Sequence, residues 1–287
     1  MLKFNRTFIL KVGKEGGKGI EIKPPFHIDF DIKKNNKEEP NIHNVKVYNL
    51  SPETINKLSE PDLFCVLYAG YEGEDSAVLL AAGNITETYL KRDKTGTIFN
   101  IEFVDGWVAI RDTAVSLSYG SGASAKEIIK DIAKQMGLSL MMNDKIKDRT
   151  WQHGFSFYGV AHQALHKIVR GAGLEWSIQD NKLQVIEECG ATTRQAVVFN
   201  SGSGLIGSPE RIRIASKEKR ASKKGNRQKL NGWRITSLLT PTVKPKDKIK
   251  LECKDIDGVF VVDSVKHTGS FMGNQWQTVL EVRENAE

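Results

Sequence analysis

Gly232-Trp233-Arg234-Ile235-Thr236-Ser237-Leu238-Leu239-Thr240-Pro241, then Asp257-Gly258-Val259-Phe260-Val261-Val262-Asp263-Ser264-Val265-Lys266-His267-Thr268-Gly269-Ser270, then Gln275-Trp276-Gln277-Thr278-Val279-Leu280-Glu281-Val282 decide the class of this chain. Apolar and polar residues alternate in all three, and the runs break at Gly, Pro and Asn. That pattern predicts short antiparallel strands closing into a small barrel. Working back from it, Gln195 to Phe199 reads as another strand.

The N-terminal part alternates in the same way. Leu2 to Val12 and Ile20 to Ile32 read as strands, with Phe26, Ile28, Phe30 and Ile32 facing inward. The strands His43 to Leu50, Leu63 to Tyr71, Ala77 to Tyr89 and Ile98 to Ile110 follow. Among them Ser51 caps, and Pro52 opens, a short helix ending near Leu58. The middle differs. Ser124-Ala125-Lys126-Glu127 is a capping box ahead of the apolar stripe Ile128, Ile129, Ile132, Ala133 and Met136, with Gly137 as the stop. A second helix spans Tyr158 to Arg170 through Ala161, Leu165 and Ile168, and a hairpin turns at Gln179-Asp180-Asn181. The expected fold is mainly β with an α/β module: a first β-barrel over 1–118, a helix-containing domain over 119–190 and a second barrel over 191–287.

The formal charge of the 287-residue chain is +7, yet ten Lys or Arg against the single acid Glu218 fall between Arg211 and Arg234. The remainder is slightly acidic, so the basicity belongs to one segment and not to a basic face. Its Lys217 to Lys229 stretch reads as a solvated, disordered or mobile loop without interleaved aromatics. No apolar run approaches the roughly 18 residues of a membrane span, and the N-terminus lacks a signal peptide's apolar stretch. A soluble protein made in a cytoplasm is expected. Cys65, Cys189 and Cys253 have no paired spacing and are expected to be reduced.

Chemistry-bearing patterns are incomplete. Gly202-Ser203-Gly204-Leu205-Ile206-Gly207 matches a dinucleotide fingerprint, but Ser208-Pro209-Glu210 and the alternating Arg211-Ile212-Arg213-Ile214 follow where a helix is required. A glycine turn between strands is the better reading. His162 and His166 stand one helical turn apart without a third ligand, Gln163 replaces a general-base Glu, and both histidines are expected to flank a buried stripe. Glu38-Glu39, Glu187-Glu188, Asp29 and Asp31 are expected in solvated positions. No catalytic, cofactor-binding or metal-binding residue is assigned.

In its order of segments the chain resembles the baseplate hub proteins of tailed bacteriophages. The resemblance rests on Ser124 to Leu138, Ala164-Leu165 to Trp176 with its hairpin to Ile186, Phe199-Asn200, Gly204 to Pro209, Trp233 to Pro241, Pro245 and Gly258 to Leu280. It implies two tail-tube-like barrels flanking the small domain and a homotrimer whose six barrels form a ring. It also implies tail tube, spike and other baseplate proteins as partners, with DNA only in transit through the lumen and a place in the virion tail. The chain is shorter than larger hubs and carries its basic segment inside the second barrel. Two other readings stay open: a nucleic-acid-binding barrel using residues 211–234, with steeply salt-dependent affinity, and a tail-tip cell-wall hydrolase.

Overall fold

The computed structural model describes residues 5–14, 17, 19–73, 77–94, 96–188, 190–215, 229–254 and 256–284. The first part contains β1 (Arg6–Gly13), β2 (Ile20–Ile22), β3 (Ile28–Asn35), β4 (Ile42–Tyr48), α1 (Pro52–Leu58), β5 (Phe64–Tyr71), β6 (Val78–Asp93) and β7 (Gly96–Val104). These strands pair antiparallel in the order β3-β4-β7-β6-β5-β1-β2. Alternate residues on them, among them Phe8, Leu10, Ile32, Val45, Leu67, Ile101 and Phe103, meet in one fully buried cluster. Ile28, Phe30 and Ile32 point inward as their alternation predicts. Phe26 does not, because Pro24-Pro25 turns the chain before β3 and leaves it 42% exposed.

The middle part runs α2 (Trp107–Asp112), β8 (Ala114–Tyr119), β9 (Ala123–Ser124), α3 (Ala125–Gln135), β10 (Ser139–Met142), β11 (Thr150–Trp151), β12 (Phe155–Val160), α4 (Ala161–Ala172), β13 (Leu174–Gln179) and β14 (Lys182–Glu187). Ser124 Oγ accepts the Glu127 amide at 3.2 Å, so α3 starts where its cap residue stands. It ends in a Schellman motif: Leu138 N–H reaches Ala133 O, Gly137 N–H reaches Lys134 O, and Gly137 takes φ +68°. Helix α4 begins at Ala161 and not at Tyr158, since Phe155–Val160 pairs with β8 first. The apolar faces of α3 and α4 form a second cluster with Trp176, Leu183 and Val185.

The last part holds β15 (Val197–Phe199), a 3-10 turn (Ser201–Ser203), β16 (Leu205–Ala215), β17 (Lys229–Leu238), β18 (Lys248–Cys253), β19 (Ile256–Ser270) and β20 (Trp276–Glu284). A third cluster gathers Phe199, Ile235, Ile249, Val262, Leu280 and Val282. The three alternating runs from Gly232, Asp257 and Gln275 are therefore β17, β19 and β20. β19 does more than its alternation shows. Its first half pairs with β18, its second half, Ser264 to Ser270, pairs with β3, and β20 follows its other edge. The switch falls at a bulge between Val262 and Ser264. One continuous sheet thus serves the first and third clusters, and Leu239 and Trp276 from the last part are buried in the first. The mainly-β class holds.

Candidate functional site

The three parts meet at a buried polar junction, assembled from a strand end and two turns. Lys34 is next to the last residue of β3, Asp180 and Asn181 turn β13 into β14 with φ of +53° and +60°, and Lys244 lies between β17 and β18. Positive φ at both central residues is what a two-residue hairpin turn of the primed type requires, and Asp and Asn tolerate it. Asp180 Oδ1 accepts from Lys34 Nζ and Oδ2 from Lys244 Nζ. Lys34 and the Asp180 side chain are excluded from solvent. Burial alone would push the Asp180 carboxyl up; the two ammonium groups outweigh it and hold the group at about 2. Burial pushes Lys244 below the usual lysine range against the pull of Asp180.

Around this centre most polar contacts bridge parts. Lys246 Nζ lies 2.9 Å from Glu175 Oε2, which also accepts Asn36 Nδ2 at 2.6 Å. Ser177 Oγ donates to Asn36 Oδ1 at 3.1 Å, and Gln179 Nε2 donates to Asn35 O at 2.8 Å. Asn41 Nδ2 reaches Asp105 Oδ2 at 3.0 Å and Ile178 O at 3.1 Å, and Asp105 Oδ1 faces His43 Nε2 at 3.3 Å with both side chains buried. One strand over, buried His267 contacts Thr278 Oγ1 at 2.9 Å through Nδ1; burial, reinforced by the Lys34 charge, lowers its pKa to about 3. The arrangement binds parts of the chain to one another in a fixed geometry. The sequence marks Asp180 only as part of a hairpin turn and gives Lys34 no role; two positively charged residues far apart in sequence carry no local signal that they share one carboxylate.

The residues weighed for chemistry are scattered. His166 Nδ1 pairs with Glu38 Oε2 at 2.6 Å, and His162 Nδ1 contacts Ile110 O at 3.2 Å, so the two histidines have separate partners. Among the described residues no group of three His, Cys, Asp or Glu is placed to hold a metal. Asp29 accepts the Tyr48 hydroxyl at 2.6 Å and Asp31 pairs with Lys266 at 3.2 Å. Glu187 and Glu188 lie at and after the end of β14. The glycine run is a turn: Asn200 caps Ser201–Ser203, Gly204 takes φ +101°, and strand β16 follows where a phosphate cradle needs a helix. Cys65 is a buried free thiol and Cys253 a half-buried one, while Cys189 lies outside the described residues. Of the basic segment, Arg211 and Arg213 sit on β16, and Arg234 on β17 is committed to Glu281 at 3.0 Å and Glu210 at 3.6 Å. The loop expected over Lys217 to Lys229 falls outside the described residues except for its last position. No helix among the described residues is long and apolar enough to cross a membrane.

No protein-family model matches this chain, and no curated protein matches it in sequence. Solved structures match it end to end. A tail protein from Neisseria meningitidis MC58 is similar at 12% identity with a TM-score of 0.66, over 98% of this chain and 97% of that one. The 43 kDa tail protein of prophage MuSo2 from Shewanella oneidensis is similar at 11% identity and TM-score 0.64, over 98% and 99%. A type VI secretion component from E. coli, described as structurally similar to the T4 tail proteins gp27 and gp5, is similar at 10% identity and TM-score 0.62, over 92% and 75%. The chain has the fold of these tail proteins.

Proposed function

We propose that this chain is a structural subunit of a bacteriophage or prophage-derived tail, the baseplate hub that joins the tail tube to the central spike and surrounds a channel for DNA. The observation that carries this reading is the end-to-end likeness to two tail proteins, which leaves almost no part of either chain unmatched. The division into units 1–118, 119–190 and 191–287 belongs to the same proposal. Its role is assembly and not catalysis, and its partners are further copies of itself, the tube, the spike and other baseplate proteins in the virion tail.

Two features of the chain support it. The large sheet ends at β2 on one side and β16 on the other, and among the described residues neither outer edge is paired. Heterologous contacts that close into a ring cover such edges. The buried junction, meanwhile, fixes three units in one body, as a subunit that transmits contacts between tube and spike requires. Light scattering of the purified chain over a range of concentrations tests the assembly. The expected mass is about 96 kDa, three copies of a 32.1 kDa chain. A strict monomer that also binds neither tube nor spike protein overturns the reading.

A further inference from the structure

The first and last parts are joined by shared sheet and shared core: β19 pairs with β3, and Leu239 and Trp276 are buried in the first cluster. The middle part is joined differently. The buried members of its apolar cluster all fall between Ala109 and Val185, and neither other cluster takes a buried residue from that range. Among the described residues, none of the strands β8 to β14 pairs with the large sheet. Across the seam run ion pairs and hydrogen bonds instead. Asp180 meets Lys34 and Lys244, Glu175 meets Lys246 and Asn36, and Ser177 and Gln179 reach Asn36 and Asn35. Gln184 Nε2 donates to Pro245 O at 3.4 Å, and Val108 N–H donates to Asn84 Oδ1 at 3.3 Å.

These two kinds of joint differ in strength. Burying apolar surface is the main force that holds packed bodies together. A buried ion pair adds little net stability, because desolvation offsets the attraction, and what it contributes is one fixed arrangement. Units whose interface is neither large nor apolar move relative to one another by default. Parting this seam leaves all three apolar clusters whole. The chain crosses it at Asp105-Gly106, where Gly106 takes φ +59°, and again beyond Glu188, whose amide still donates to Gly173 O inside the middle part.

We propose that the middle part is a latched body, which parts from the double sheet as an intact fold, with Asp180 between Lys34 and Lys244 as the catch. The closed arrangement is the resting state and the open one a minor state. Such a device lets the molecule change shape without breaking a sheet or a core. The inference stands on the seam and is independent of the hub reading.

Labelling of the full chain with iodoacetamide under native conditions tests it, read residue by residue by mass spectrometry so that the native cysteines stay distinct. Ser177→Cys places a thiol in the seam, where Ser177 is 1% exposed, and the native Cys65, 0% exposed, reports the first core. The seam thiol is expected to react at least about tenfold faster than Cys65, while the amides of α3 and α4 keep their protection from hydrogen exchange over the same time. Adding Asp180→Asn should speed seam labelling by about a hundredfold, the low end of the cost of breaking a buried pair from one side, and leave Cys65 and the helix amides unchanged. Asn36→Cys reads the same seam from its other side, so poor folding of Ser177→Cys leaves the test intact. Equal rates at the seam and at Cys65 overturn the proposal, because the seam then opens only when the whole molecule does. Loss of α3 and α4 protection in step with seam labelling also overturns it, since the middle part then melts and does not part intact. So does an Asp180→Asn effect as large at Cys65 as at the seam.

Discussion

Asp180 carries one buried charge between two ammonium groups, Lys34 shut off from water and Lys244 partly exposed, and this asymmetry dictates how substitutions there behave. Asp180→Asn leaves the buried Lys34 and the partly buried Lys244 with no anion between them, whereas Lys34→Met leaves the Asp180–Lys244 pair intact. Breaking a buried pair from one side costs on the order of 3–5 kcal/mol. Asp180→Asn is therefore expected to lose that much in urea unfolding and Lys34→Met clearly less; the reverse order would show that the junction is not organised around the carboxylate. His267 sets the response to acid. Its folded pKa of about 3 lies below the unfolded value of 6.5, so the unfolded chain binds more protons once the pH falls below 6.5. Stability is then lost progressively from about pH 6.5 downward, by roughly 3 kcal/mol at about pH 4.5. Asp180, depressed to about 2 from 3.8, adds to the loss only below pH 3.8. His267→Gln, which keeps a partner for Thr278, should flatten the unfolding profile between about pH 6.5 and 4.5; an unchanged slope would assign the acid response elsewhere.

Among the elements, β19 decides most of the architecture. Its far half lies on β3 with Gly269 opposite Phe30, and a Cβ at Gly269 would stand 2.1 Å from Phe30 Cζ. The ring fills that space and packs against Trp276 with centroids 5.1 Å apart. Gly269→Ala should therefore destabilise the protein by about 1–3 kcal/mol through overpacking at the seam. Adding Phe30→Leu should recover part of it, and a double variant no better than the single would mean the ring is not the obstacle. The strand pattern of β19 was plain in the sequence, as were the cap of α3 and its glycine stop, because each is a local signal. Its choice of neighbours was not: alternation tells which face is buried and is silent on which strand lies alongside. Helix α2 was hidden in the same way, since Trp107 to Ile110 follow β7 as if the apolar run continued, and the break depends on Gly106 at φ +59°.

At the scale of the molecule, three apolar clusters are joined by one shared sheet and one buried polar junction. The clusters could be anticipated from changes of period along the chain. The junction could not, because Lys34, Asp105, Asp180, Lys244 and His267 each look like ordinary surface residues until the fold brings them together. The same limit applies to the hub reading, which rests on the order of segments in sequence and on the shape they make in space. If three such bodies close into a ring, their six β-rich units surround a lumen and the open edges at β2 and β16 are covered. Electron microscopy of the purified chain, reconstructed at low resolution, tests this most directly. The account predicts a ring with three-fold symmetry, six similar lobes and a central channel. Isolated three-lobed monomers at every concentration, or a closed assembly without a channel, would contradict it.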